Sequence, residues 1–257
     1  MRPIAKTIYY KAFRLGLRMR LWVADRLDKP GVDVPIPPAI LRFRVTESIS
    51  IREFLQIGAG CASLIREHLG QMGVDFADAQ RVLDFGCGCG RAIRWFLASG
   101  ETAEFHGVDV DAQAIDWCKK YLRPGRFFTT PISPPLPYPA EHFDAIYCLS
   151  VFTHLSESMQ DDWLAELQRI LRPGGVLLLT VYGAAATEVL NEEDRTLPRK
   201  VGFVHKRSGK LKGLVPDWYQ TSFHSRQYIL ARLSKGFSEQ EYHAVPDGMQ
   251  DVIVARK

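Results

Sequence analysis

Along the chain, apolar positions first recur at helical spacing and later gather into short runs. Ile51, Phe54, Leu55, Cys61, Ala62, Ile65 and Leu69 follow the helical period and predict an amphipathic helix to about Met72. Ser50 and, three positions on, Glu53 form the capping box that opens it. Upstream, residues 4–27 predict a basic, partly amphipathic helix, and the connector 30–38 holds Pro30, Gly31, Pro35, Pro37 and Pro38, which exclude helix.

From Arg81 the pattern alternates between strand and helix. Apolar runs predict strands near 81–85, 104–109, 126–129, 143–149 and 176–182, with helices at 90–99, 112–122 and 157–171. Val176-Leu177-Leu178-Leu179-Thr180-Val181 is apolar on both faces, as a central parallel strand must be. Arg172-Pro173-Gly174-Gly175 before it reads as a turn. A polar insertion follows to about Asp217, with a hairpin around residues 206–210, then a short helix at 226–234 and two strands at 237–245 and 250–256. The parse is an annex, 1–49, and an α/β domain, 50–257.

Composition narrows the function. The 257 residues are 46% hydrophobic and 24% charged, which excludes disorder and allows a sizeable core. The net charge is +4, but residues 1–29 hold eight basic and two acidic side chains, a net +6 that leaves −2 for the remainder. A body so balanced has no field to hold a nucleic-acid backbone. No apolar stretch approaches the roughly 20 residues that cross a bilayer, and Arg14, Arg18 and Arg20 interrupt any signal-peptide core. Five cysteines without a C-x-x-C pair fit a reducing, cytoplasmic setting.

The stretch Arg81-Val82-Leu83-Asp84-Phe85-Gly86-Cys87-Gly88-Cys89-Gly90 is a buried strand running into alternate glycines and then a helix. Such glycines let backbone approach a ligand, and free N–H groups in the next helical turn favour an anionic group. A dinucleotide fingerprint would require glycine at position 91, which is Arg91, so NAD or FAD is disfavoured. The next strand, Phe105-His106-Gly107-Val108-Asp109, ends in an acid 25 positions after Asp84, suited to accept from both hydroxyls of a ribose. Asp111, just ahead of Ala112, is the better N-cap.

This pattern, with Phe143 to Leu155 and Leu171-Arg172-Pro173-Gly174-Gly175, resembles the class I S-adenosylmethionine-dependent methyltransferases, over about residues 50–257. The resemblance implies a Rossmann-like, doubly wound α/β fold with a seven-stranded, mostly parallel sheet whose last strand is antiparallel. It also implies S-adenosylmethionine as cofactor, with Gly86, Gly88 and Gly90 along its methionyl part and Asp84 facing its ammonium. Asp109 would bind its ribose, Val110 would touch its adenine, and Ser150, at the end of the fourth strand, would lie near the transferring methyl. One departure is that Phe127 to Ser133 holds no acid for the adenine amino group, leaving backbone, Ser133 or packing.

The methyl donor needs no acid assistance, so the protein must align the acceptor, exclude water and sometimes supply a base. His154 is the first base candidate and His224 the second, with Tyr219 and Arg226 as substrate-binding neighbours and Ser225 as a helix N-cap. Gln250 and Asp251 face either the same mouth or solvent. Cys87 and Cys89 are the small side chains a tight loop requires rather than a metal pair. The basic N-terminal helix is either a lid over the cofactor or a foot on an anionic membrane surface. The expected activity is methyl transfer to a hydroxyl or amine of a small molecule, a sugar, a lipid-linked compound or a secondary metabolite. The alternatives are a nucleotide-dependent oxidoreductase and a cofactor-binding or membrane-associated partner without turnover.

Overall fold

The computed structural model describes residues 3–27, 34–187, 201–206, 220–245 and 250–257, with side chains in the first segment described from Lys11. Helices α1 (Pro3–Leu27), α2 (Ala39–Thr46) and α3 (Ile51–Gln71) precede the sheet. Then come β1 (Arg81–Phe85), α4 (Ile93–Ala98), β2 (Glu104–Asp109), α5 (Ala112–Tyr121), β3 (Arg126–Thr129), β4 (Phe143–Cys148), α6 (Glu157–Ile170) and β5 (Leu171–Val181). The chain continues through β6 (Phe203–Lys206), β7 (Thr221–His224), α7 (Arg226–Leu233), β8 (Glu239–His243) and β9 (Asp251–Arg256).

Seven strands form one sheet in the order β3-β2-β1-β4-β5-β9-β8. The first five pair in parallel, and β9 runs antiparallel to both β5 and β8. The order reverses between β1 and β4, and a ligand crevice belongs at the strand ends beside that reversal. One core layer holds Ile65, Leu69, Ile93, Phe96 and Ile115 on the face covered by α3, α4 and α5. The other holds Trp163, Leu167, Ile170, Ile229 and Leu233 of α6 and α7.

The expected caps form. Ser50 Oγ accepts from the Glu53 N–H at 3.2 Å, Asp111 Oδ1 from those of Gln113 and Ala114 at 3.1 and 3.3 Å, and Ser225 Oγ from Tyr228 at 3.2 Å. Two boundaries move for identifiable reasons. The turn expected at 171–175 stays within β5, because Gly174 N–H donates to the Lys257 carbonyl at 2.9 Å and Lys257 N–H to Gly175 at 3.0 Å. Helix α4 starts at Ile93 rather than near 90, because the Gly90 N–H closes a tight turn onto the Cys87 carbonyl at 2.9 Å. Strand β6 pairs antiparallel with β7, Lys206 opposite Thr221, while residues 207–219, on which the hairpin expected around 206–210 falls, lie outside the described residues.

Helix α2 was not legible in the Pro-rich connector. It begins directly after Pro38, which cannot continue a helix backwards but can precede one. Arg42 fixes the path around it, donating to the Pro37 carbonyl at 2.7 Å and to Ile49 at 2.7 and 3.0 Å. Leu17, Leu21 and Ala24 of α1 pack on Ala39 and Phe43 of α2, and Asp25 accepts the Ala39 N–H at 2.5 Å.

Candidate active site

A cavity of about 1010 Å³ opens at the carboxyl ends of β1, β2 and β4. Its floor is the loop after β1, where the N–H groups of Gly86, Cys87 and Gly88 are spent inside the protein. Gly86 and Cys87 both donate to the Val108 carbonyl, at 2.8 and 3.0 Å, and Gly88 donates to Asp109 Oδ2 at 2.7 Å. The loop therefore offers an anion none of these three N–H groups. It is an approach surface, and the charges around it are mainly carboxylates.

Asp84 and Asp109 carry that character. Asp84 lines the cavity yet is only 4% exposed. Burial pushes its pKa up to about 8, against the pull of the Tyr147 hydroxyl and the Arg91 guanidinium, and Asp109 adds to the rise. Among the described residues no cation lies within ion-pair distance of it. Asp109 is also raised by burial, opposed by the backbone N–H groups of Asp111 and Gly88. Each of its oxygens accepts one of them, Oδ1 from Asp111 at 2.8 Å and Oδ2 from Gly88 at 2.7 Å, and keeps a further lone pair.

The glycines divide. Gly86 and Gly88 line the cavity, whereas Gly90 is absent from its walls; a Cβ on Gly90 would meet Leu122 Cδ1 at 2.3 Å, so its bareness serves packing against the end of α5. Gly88, at φ +52°, lies under α2, where a Cβ would meet Val45 Cγ1 at 2.4 Å. Leu41, Arg44, Val45, Thr46 and Glu47 of α2 and its C-cap form a wall of the cavity. Arg91 Nη1 ties that wall to the loop through the Val45 carbonyl at 2.5 Å, and Arg44 Nη1 ties it to Asp111 at 2.7 Å. The cover is thus α2, with the basic helix α1 stacked behind it.

Val110 lines the cavity beside Thr130, Pro131 and Ile132, while Ser133 is exposed and lies outside the wall. Across the cavity, Ser150 holds a left-handed backbone, φ 64°, rare for a side-chain-bearing residue and found at sites the surroundings over-determine. Thr180 Oγ1 accepts its N–H at 2.8 Å and donates to Gln250 Oε1 at 2.6 Å, and Gln250 Nε2 donates to Ser150 Oγ at 2.9 Å. This triangle ties β4, β5 and β9 together. Gln250 faces the cavity, whereas Asp251 is buried away from it, accepting from Tyr242 Oη at 2.5 Å and Val245 N–H at 3.0 Å.

The two histidines part company. His154 lines the cavity, and its Nδ1 donates to the Gln220 carbonyl at 2.6 Å. Burial lowers its pKa to about 4, so it is neutral at physiological pH. His224 is 1% exposed in the core, away from the cavity, with its pKa lowered by burial to about 3. Its Nε2 donates to Gln160 Oε1 at 3.1 Å, while Gln160 Nε2 donates to the carbonyls of Phe152 and Leu155 at 3.1 and 3.2 Å. The expected second base is thereby a brace for the 152–155 loop. Arg226 is exposed and stacks over Tyr242, its guanidinium 5.4 Å from the ring centroid, so it does not bind in this cavity. Tyr219 lies outside the described residues. Cys87 and Cys89 are buried thiols facing the carbonyls of Gly88 and Leu41, and burial raises both pKa values.

Residues 82–175 match the family described as a methyltransferase domain. Over that stretch the chain is similar to methyltransferase domains. Over 104 residues it is 32% identical to the fatty-acid O-methyltransferase of Mycolicibacterium smegmatis, covering 40% of this chain and 37% of that one. Over 120 residues it is 30% identical to the malonyl-[acyl-carrier protein] O-methyltransferase of Enterobacter lignolyticus, covering 47% of this chain and 46% of that one. The chain therefore spans less than half the length of these relatives. The chain also shares its fold with the 1,6-didemethyltoxoflavin-N1-methyltransferase of Burkholderia thailandensis, solved with 1,6-didemethyltoxoflavin and S-adenosylhomocysteine bound. That likeness has a TM-score of 0.55 at 17% identity and covers 88% of this chain and 93% of that one.

Proposed function

We propose that the cavity binds S-adenosylmethionine and that the protein transfers its methyl group to a hydroxyl or amine of a small molecule with an apolar body. The observation that carries this reading is a buried acid, Asp84, raised to about 8 in a cavity wall beside a loop in which the N–H groups of Gly86, Cys87 and Gly88 are already used. A pyrophosphate would find the N–H groups of Gly86, Cys87 and Gly88 taken and the Asp109 carboxyl group beside them, which argues against the oxidoreductase reading. A ligand with a cationic end finds a partner in Asp84, and a vicinal diol finds acceptor lone pairs on Asp109.

Bound there, the cofactor would supply a methyl group already activated on a sulfonium. The residues of this chain would do the rest. Asp84 would compensate the ammonium, and Asp109, held rigid by two backbone N–H groups, would fix the ribose. Val110 and Pro131 would flank the adenine, with backbone and packing in place of an acid. On the opposite wall Leu149, Val151, Leu155, Met159 and Trp163 offer an apolar surface for the acceptor, in keeping with the fatty-acid enzyme among the relatives. His154, neutral and oriented by Gln220, would take the acceptor's proton. Titration calorimetry with S-adenosylmethionine, beside NADH, tests the first step; absence of heat with the former would remove the proposal. Radiolabelled methyl transfer onto fatty acids and hydroxylated or amino small molecules tests the second.

A further inference from the structure

Helix α1 has two apolar faces, and only one is used by the fold. Leu17, Leu21 and Ala24 are buried on α2. On the far side Leu15, Met19, Trp22 and Leu27 are 67, 66, 57 and 74% exposed. At 3.6 residues per turn they form, with Val23, one stripe from Leu15 to Leu27. Lys11 heads the stripe, Arg18 and Arg20 flank its two edges, and the Arg26 guanidinium lies 4.0 Å from the Trp22 ring centroid. Lys11, Arg14 and Arg18 also converge with Leu15 on a shallow cleft of about 440 Å³.

Segment 11–27 holds five basic residues and a single acid, Asp25, whose carboxylate is engaged by the start of α2. An apolar stripe rimmed by cations matches the boundary between acyl chains and anionic headgroups. A second copy of the helix would bring like charges together. Among the described residues no helix is long and apolar enough to cross a membrane. We propose that the outer face of α1 lies in the surface of an anionic lipid bilayer, with Leu15, Met19, Trp22 and Leu27 at the acyl boundary and Lys11, Arg14, Arg18 and Arg20 at lipid phosphates. This inference stands on α1 alone and is independent of the cavity's ligand.

The test uses the full chain with vesicles of phosphatidylcholine alone and with a third of phosphatidylglycerol. Sedimentation should show binding at least about tenfold tighter to the anionic vesicles and reversed by high salt, as a charge-assisted surface helix requires. Each basic side chain near such a surface contributes about fivefold, so the double variant Arg18→Gln, Arg20→Gln should bind about thirtyfold more weakly. Trp fluorescence should shift blue on anionic vesicles, and Trp22→Phe should remove the shift. These residues are exposed, and circular dichroism verifies that each variant is folded. Equal binding to both vesicle types, no binding, or an unchanged double variant would overturn the proposal. So would a dimer by light scattering that Met19→Asp dissolves, which would assign the stripe to a second copy.

Discussion

Asp84→Asn separates ligand chemistry from folding, because the two should respond in opposite directions. In the free protein the Asp84 carboxyl, raised from 3.8 to about 8, is mostly protonated at pH 7. A folded-state pKa above the unfolded value means that this group opposes folding increasingly as pH rises from 3.8 towards 8. Replacing it with the neutral amide should therefore raise stability at pH 7, by on the order of 4 kcal/mol as an upper limit, read as a higher melting temperature. A bound ammonium reverses the preference and makes the carboxylate ionise. Binding of S-adenosylmethionine should then release about 0.9 proton at pH 7, and affinity should rise about ninefold between pH 6 and 7. Calorimetry in buffers of different ionisation enthalpy measures the proton directly. The variant should lose both the release and the slope, and about 1.5 to 3 kcal/mol of affinity. An affinity independent of pH in that window, with no proton released, would refute the assignment of Asp84 to the ligand's cation.

The other expectations are briefer. Gly88→Val should abolish cofactor binding by calorimetry, because a side chain at φ +52° is strained and would strike Val45 at 2.4 Å, lifting α2 from the loop. Asp109→Ala should weaken binding by about 1 to 3 kcal/mol and also lower the melting temperature, since it strips the acceptor from two backbone N–H groups; Asp109→Asn should be milder in both. His224 is lowered from 6.5 to about 3, so the unfolded chain takes up its proton first and stability falls as pH drops below 6.5. Between pH 7.5 and 5 this loss is about 2 kcal/mol, and denaturant titrations should find it missing in His224→Leu. His154→Ala should cut the transfer rate about 10²- to 10⁴-fold with cofactor affinity unchanged, and an unaltered rate would end its role as base.

The sheet was legible because each of its parallel strands carries a short apolar stretch and most alternate with helical segments, and Asp84, Gly88 and Asp109 stood out because their spacing follows from that strand–loop–strand geometry. What escaped depends on contacts distant in sequence. Nothing in Pro37-Pro38 announces that the next turn of helix will lie on a glycine loop some fifty positions later. His224 looked catalytic as a titratable group in one short segment with Tyr219 and Arg226, and only its pairing with Gln160 reveals a core residue. The Ser150, Thr180 and Gln250 triangle joins three strands whose proximity is a property of the topology. Gly90 belonged to the motif by spacing yet answers to Leu122, a residue of the following unit.

The placement of α2 has a practical corollary for anyone trimming this protein. A fragment begun at residue 50, where the composition suggests a clean cut, would keep every strand and both acids but leave Gly88 uncovered and Arg91 without its carbonyl partner. Such a fragment should fold, yet hold its small molecule poorly and exchange it fast, so a negative result on the truncated form would speak to the missing roof rather than to the catalytic competence of what remains.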